Sequence, residues 1–289
     1  MLTDKRYIAN LMGDLKAILL ATDGSSHSRA AMEEGFSFAS ACNTRLTLLN
    51  VLEFNPEYFE HFSTIGVNHL AEKKEKIQDY YEKLREQIAN DNVELKTLIE
   101  ISQNPHEVII SEAVKGKYDL IIMGKHGESG FKKLLMGSVT AKVISEAPCK
   151  VLAAGEGKKI KGENILLATD GSRFSIGAET EAINMAARCP HLKKFIAVSA
   201  AHTAEEFKQA EANIENVIHK CKEHNVKVDA QVVIGEPYKI IVDKAKDYNI
   251  DIIIMGTHGR TGIERLFLGS VALKVIGLSD CSVLVTKEI

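Results

Sequence analysis

At 289 residues the chain is long for one compact core and comfortable for two domains. An apolar share of 45%, a charged share of 26% and five prolines exclude disordered and fibrous classes. Basic and acidic residues number 36 and 39, a net charge of -3 with no dense Lys/Arg block, so no nucleic-acid partner is expected. No apolar run approaches the ~20 residues that a membrane span needs, and the polar start Met1 to Arg6 leads into no signal-peptide core. The five cysteines form no CxxC pair and no zinc-ligand spacing, so a cytoplasmic protein with reduced thiols and no metal site is expected.

In chain order, short apolar runs alternate with longer amphipathic stretches. Strands are predicted over Ala17–Ala21, Leu46–Leu52, Glu94–Ile101, Leu120–Met123 and Lys150–Ala153. Helices fall between them near Ser28–Ala41, Asn68–Ala89, Pro105–Lys115 and Ser138–Glu146. Five strands joined by four helical crossovers imply an α/β fold with a parallel sheet covered on both faces. The mixed charges of Lys73, Glu75, Asp79, Glu82 and Arg85 read as a solvated helix face.

The whole pattern then repeats. Ile18 to Ser25 recurs unchanged as Ile165 to Ser172, an offset of 147, which also carries Cys42 onto Cys189 and Val51 onto Val198. Later, Asp119 to Ala154 aligns with Asp251 to Thr286 at an offset of 132, with 18 of 36 positions identical. The smaller offset gives the first copy 15 extra residues, placed between Glu53 and Asn68. Phe54, Tyr58, Phe59 and Phe62 in that stretch read either as packing over the domain's own helices or as a lid or docking loop. The Gly/Lys-rich segment Gly155 to Gly162 reads as an exposed linker, and the domains are expected at 1–157 and 158–289.

Two segments depart from what packing asks for, and both follow strands. The first is Thr22-Asp23-Gly24-Ser25 with its copy Thr169-Asp170-Gly171-Ser172. Its serines fit helix caps, while an aspartate at the open end of a strand is also placed to accept hydrogen bonds from a ribose. The second is Gly124-Lys125-His126-Gly127, followed nine residues on by Gly137-Ser138, and its copy Gly256-Thr257-His258-Gly259 followed by Gly269-Ser270. Glycines let backbone approach a phosphate, and a helix amino terminus offers free N–H groups to negative charge. Neither a Walker A loop nor the G-x-G-x-x-G dinucleotide fingerprint is present.

The strand ending in Asp, the G-x2-G-x9-G-[ST] loop after the fourth strand and the closing Val-rich strand resemble the ATP-binding branch of the universal stress protein family. The resemblance covers Lys16 to Ala154 and Asn164 to Thr286. It implies two tandem doubly wound domains of the adenine nucleotide alpha hydrolase-like kind, each with a five-stranded parallel sheet in the order 3-2-1-4-5. Strand order reverses between strands 1 and 4, the crevice where such folds bind ligands. By the resemblance Asp23 and Asp170 hold the ribose, and Val51 and Val198 line the adenine pocket. The phosphates lie on Gly124, Gly127, Gly137, Ser138 and Val139 in one copy, and on Gly256, Gly259, Gly269, Ser270 and Val271 in the other. ATP, ADP or AMP is the implied ligand, with Mg2+ allowed on the phosphates. The roles of Lys125 and Arg260 stay open, and His126 reads either as a hydrogen-bonded spacer or as a catalytic base. Gln103-Asn104-Pro105, where the second copy has Gly235-Glu236-Pro237, departs from the family pattern at the first pocket's rim.

The resemblance also implies pairing of the two domains through the fifth strands, whose apolar edges otherwise invite aggregation. By analogy a homodimer and a protein partner are allowed. The expected function is stress-response regulation by adenine-nucleotide binding, without an assembled catalytic set. The alternatives are a slow ATP hydrolase or nucleotidyl-transfer enzyme, and a scaffold with vestigial pockets.

Overall fold

The computed structural model describes residues 11–25, 28–54, 63–88, 93–127, 136–259 and 268–287, without the side chains of 63–69 and 87. The first copy forms β1 (Ala17–Thr22), α1 (Arg29–Cys42), β2 (Arg45–Glu53), α2 (Ser63–Ile88), β3 (Leu95–Ser102), α3 (Pro105–Gly116), β4 (Leu120–Gly124), α4 (Ser138–Glu146) and β5 (Lys150–Ala154). The second forms β6 (Asn164–Ala168), α5 (Arg173–Arg188), β7 (Lys194–Ala201), α6 (Ala204–Glu223), β8 (Asp229–Ile234), α7 (Pro237–Asp247), β9 (Ile252–Gly256), α8 (Ser270–Leu278) and β10 (Ser282–Thr286). The expected elements are all present, and α2 starts five residues earlier than the sequence suggests. Gly66 and the β-branched Thr64, Ile65 and Val67 are weak helix formers, which hides that first turn in the sequence.

All ten strands lie in one sheet in the order β3-β2-β1-β4-β5-β10-β9-β6-β7-β8. Each half therefore has the order 3-2-1-4-5 and is parallel throughout. The halves meet where β5 runs antiparallel to β10, with Leu152 opposite Leu284 and Val151 opposite Val285. Period-2 alternation sends side chains to two faces. Leu20, Ile122, Leu152, Leu284 and Ile254 join one buried layer, and Leu19, Ile121, Val151, Val283 and Ile253 the other. Both layers run through the two copies without a break.

The connection between the copies is a correction to the exposed linker expected from composition. Gly155, Ile160 and Gly162 are buried, and Ile160 N donates to Glu34 Oε1 at 2.8 Å. Gly155 packs so closely on the backbone of Asp280 and Cys281 that a side chain there would overlap it, and its N–H donates to Ser282 Oγ at 3.1 Å. Glycine and lysine are read as linker residues because they favour solvent. Here the glycines serve close backbone approach instead.

At the end of the sheet away from the glycine loops, Asp119 Oδ2 accepts from Lys16 N and Ala17 N at 2.7 and 2.9 Å, and Asp251 Oδ2 from Glu163 N at 3.0 Å. These carboxylates cap the amino ends of β1 and β6. Among the described residues no helix is long and apolar enough to cross a membrane.

Candidate functional site

Each β1-type strand ends in a tight turn fixed by its own side chains. Gly24 and Gly171 take φ of 78° and 71°, the left-handed region in which glycine costs least. Asp23 Oδ1 accepts from Ser25 N at 3.0 Å, and Asp170 Oδ1 from Ser172 N at 3.0 Å, so both carboxylates are held by an Asx turn. Thr22 Oγ1 and Thr169 Oγ1 accept from Gly24 N and Gly171 N, each at 3.1 Å. Among the described residues Ser25 Oγ and Ser172 Oγ are buried without a hydrogen-bond partner.

The glycine loops arrive beside these turns. A Cβ on residue 127 would stand 3.1 Å from Asp23 Oδ2, and one on residue 259 would stand 2.9 Å from Asp170 Oδ2. Residues 23 and 127, far apart in sequence, are thus in direct apposition, and the second copy repeats the arrangement. Gly137 N donates to Lys125 O at 2.9 Å and Gly269 N to Thr257 O at 3.0 Å, closing each loop onto the start of α4 or α8. Gly137 and Gly269 are the N-caps of these helices, and neither cap supplies a side-chain acceptor to the first-turn amides. Each helix therefore turns its first-turn N–H groups and the positive end of its dipole toward the crevice.

The remaining expected residues fall around this pairing with different roles. Ser138 and Ser270 are exposed at the helix starts, while Val51, Val139 and Val271 pack against the core layer that α3, α4, α7 and α8 cover. Val198 is 2% exposed, and its carbonyl accepts from Thr169 N at 3.0 Å. Gly124 O accepts from Thr140 Oγ1 at 2.9 Å. Gly256 lies against the backbone of Phe174 and Ser175, so its missing side chain is already required by the packing of α5. Arg260, Tyr58, Phe59 and Phe62 lie outside the described residues, as do the loop interiors 128–135 and 260–267.

Lys125, whose role the sequence leaves open, reaches out of its own copy. It is 6% exposed and turns away to the second copy, where its ammonium donates to Ser279 O, Ser279 Oγ and Cys281 O at 2.6, 2.9 and 2.7 Å. Burial pushes it down to about 8.

Sequence reasoning missed the polar support of the second turn. Thr169 Oγ1 donates to Glu179 Oε1 at 2.6 Å, Lys220 Nζ donates to Glu179 Oε2 at 2.6 Å, and Asn213 Nδ2 donates to Asp170 O at 2.7 Å. The signal was available in the repeat: the offset of 147 puts Glu179 on Met32, a charge at an apolar helix position. His258 of the second loop packs its ring on Phe174 at 5.2 Å between centroids, and Arg173 lies 4.7 Å over the same phenyl ring. No group of three or more His, Cys, Asp or Glu that could hold a metal ion occurs among the described residues.

Comparison with known proteins gives one family. The sequence profile of the universal stress protein family matches residues 15–154 and again 162–287. A universal stress protein of Thermus aquaticus is 34% identical over 138 residues, 47% of this chain and 96% of that protein. One of Synechocystis is 25% identical over 300 residues, covering 93% of this chain and 99% of its own. Among solved structures, a universal stress protein from Archaeoglobus fulgidus superposes with a TM-score of 0.74 at 21% identity, over 94% of this chain and 96% of that one.

Proposed function

Because this chain belongs to the universal stress protein family, we propose that it is a stress-response regulator whose two copies, 1–157 and 158–289, each bind one adenine nucleotide, ATP, ADP or AMP. The observation that carries the reading is the apposition of Asp23 with Gly127 and of Asp170 with Gly259. In each copy a carboxylate suited to ribose hydroxyls stands beside a glycine of a loop that leads into a helix start whose cap is glycine. The carboxylate accepts, the helix amides donate, and a nucleotide carries groups of both kinds.

Asp23 and Asp170 are the ribose ligands in this reading, and the phosphates lie on Gly124, Gly127, Gly137, Ser138 and Val139 or on Gly256, Gly259, Gly269, Ser270 and Val271. Val51 and Val198 flank the adenine. The buried hydroxyls of Ser25 and Ser172 support a polar occupant, since a buried donor left unmet costs about 1–3 kcal/mol. Mg2+ comes with the phosphates. The chain acts in the cytoplasm through a protein partner, and the β5–β10 seam lets one polypeptide serve as its own dimer.

Titration calorimetry with ATP tests the reading directly. Two sites per chain are expected, and Gly127→Val, which puts a branched side chain against Asp23, should reduce the stoichiometry by half. A wild-type chain that takes up no ATP, and releases no nucleotide on denaturation, overturns it.

A further inference from the structure

The helix that carries the first phosphate loop is held at both ends by the other copy. At its start, Lys125 occupies the loop: its carbonyl accepts from Gly137 N at 2.9 Å, which sets the N-cap of α4. The same residue's side chain crosses the seam, and all three ammonium protons have acceptors there: Ser279 O, Ser279 Oγ and Cys281 O. At the other end, Lys287 Nζ from the second copy donates to Ile144 O and, at 2.9 Å, to Ser145 O, the last carbonyls of α4. Ser279 is itself the C-cap of α8. The copies therefore exchange lysine caps, each cation lying at the negative end of the partner's last helix.

The exchange is not symmetrical with respect to the loops. Lys125 corresponds to Thr257 in the second copy, a buried neutral residue. Lys287 belongs to no glycine loop and follows β10 directly. One loop thus contains a cation anchored in the other copy, while the other contains a short hydroxyl side chain. An ammonium this deeply buried is costly unless its hydrogen bonds are complete, so the position of Lys125 is dictated by three acceptors that the second copy supplies.

Resting on the nucleotide reading above, we propose that Lys125 is the positioning residue of the first site, so that the geometry of this site is set by the second copy, while the second loop, with Thr257 in the matching place, has no such anchor. Lys125 touches no nucleotide. It acts through its own carbonyl and Gly137, by fixing where the loop meets α4. A shift of the anchor would move the amides of Gly127 and Gly137 together, since residues 125 to 127 pass under Gly137, whose Cβ would lie 3.4 to 3.6 Å from their backbone.

The test uses the full chain and Lys125→Met, which keeps the unbranched stem one atom shorter and removes the ammonium and its three hydrogen bonds. Selective labelling with 15N-glycine reads the unliganded protein. The resonances of Gly127 and Gly137 should move in the variant, and those of Gly259 and Gly269 should stay. ATP calorimetry, with 8-azido-ATP labelling mapped by peptide mass to assign each site, should show the first site weakened at least tenfold and the second unchanged. The unchanged second site reports that the chain is folded. Should Lys125→Met fail to fold, Ser279→Ala removes one of the three acceptors and should weaken the first site alone, by a smaller factor. Unchanged first-site affinity overturns the proposal, and so does equal weakening at both sites, which is what a general loosening of the seam gives. Wild-type protein that binds at neither copy overturns the nucleotide reading, and this inference with it.

Discussion

In the second copy the turn after the first strand is braced by its own helices. Glu179 on α5 receives Thr169 Oγ1 and Lys220 Nζ, both at 2.6 Å, and Asn213 on α6 holds the carbonyl of Asp170. In the first copy Met32 replaces Glu179. The helix register of Ile77, Tyr81 and Leu84 against Ala210, Ile214 and Val217 puts Tyr80, 49% exposed, in the place of Asn213. The first copy instead takes its support from across the seam, through Lys125 and Lys287. Matching motifs thus sit in unlike frames: the turn of the second copy has a buried carboxylate brace of its own, and the loop of the first copy is anchored in its neighbour. A sequence that keeps both aspartates and every loop glycine still leaves the two pockets mechanically distinct.

The shared sheet is the part of this arrangement whose removal should cost most. Leu152 and Leu284 face one another across β5 and β10 and are fully buried. Proline at both positions removes two ladder donors, and each buried acceptor left unmet costs about 1–3 kcal/mol, besides the lost leucine packing. For a chain of this size the melting temperature should fall by more than about 10 °C, and the hydrodynamic radius should rise as the copies separate. Wild-type values for both would place the contact between the copies elsewhere.

Next in size is the brace within the second copy. Glu179 is 2% exposed, and replacing it with Ala removes the carboxylate partner of Lys220 and one of the partners of Thr169, which keeps Ser175 Oγ at 3.0 Å. Removing one partner of a buried pair costs about 3–5 kcal/mol, and the 31% exposure of the Lys220 side chain puts the expectation at the low end. Met32→Ala at the matching position of the first copy removes only apolar contacts of a half-buried side chain and should cost less. Chemical denaturation of the two variants checks the order. A Met32→Ala loss equal to that of Glu179→Ala would remove the distinction between the frames.

How far this was legible in the sequence differs from element to element. The strands were readable because Leu120 to Met123 and Val283 to Val285 are buried on both faces and so carry unbroken apolar runs. The apposition of Asp23 and Gly127 followed from the strand order that the resemblance implied. The seam lysine did not. A lysine in a glycine loop looks like a phosphate ligand, and nothing within its own copy shows that its three acceptors lie more than 150 residues downstream. The linker misled for the opposite reason, since the glycines and lysines of 155–162 are local signals of flexibility, and only tertiary contact at Gly155 and Ile160 turns the segment into a docked strap.

The smallest expected effect is also the one that separates the copies by sign. Glu34 on α1 and Glu181 on α5 are equivalent by the offset of 147, and both face the seam. Glu181 Oε1 meets the ammonium of Lys150 at 2.8 Å. Glu34 Oε1 accepts, among the described residues, the backbone amide of Ile160, and burial pushes its carboxyl from 4.5 up to about 7. The folded chain therefore holds a proton on Glu34 that the unfolded chain has lost between pH 4.5 and 7. This contribution to stability is complete below pH 4.5 and disappears as pH rises through about 7. Glu34→Gln keeps an oxygen for Ile160 N and carries no charge, so at pH 8 it should stabilise the chain by on the order of 1–3 kcal/mol and at pH 4 it should do almost nothing. Glu181→Gln removes half of an ion pair and should lower stability at pH 8 by about 1 kcal/mol. Thermal melts of both variants at the two pH values give four numbers. Equal signs at pH 8 would mean that the two glutamates share one environment, contrary to the difference in their partners.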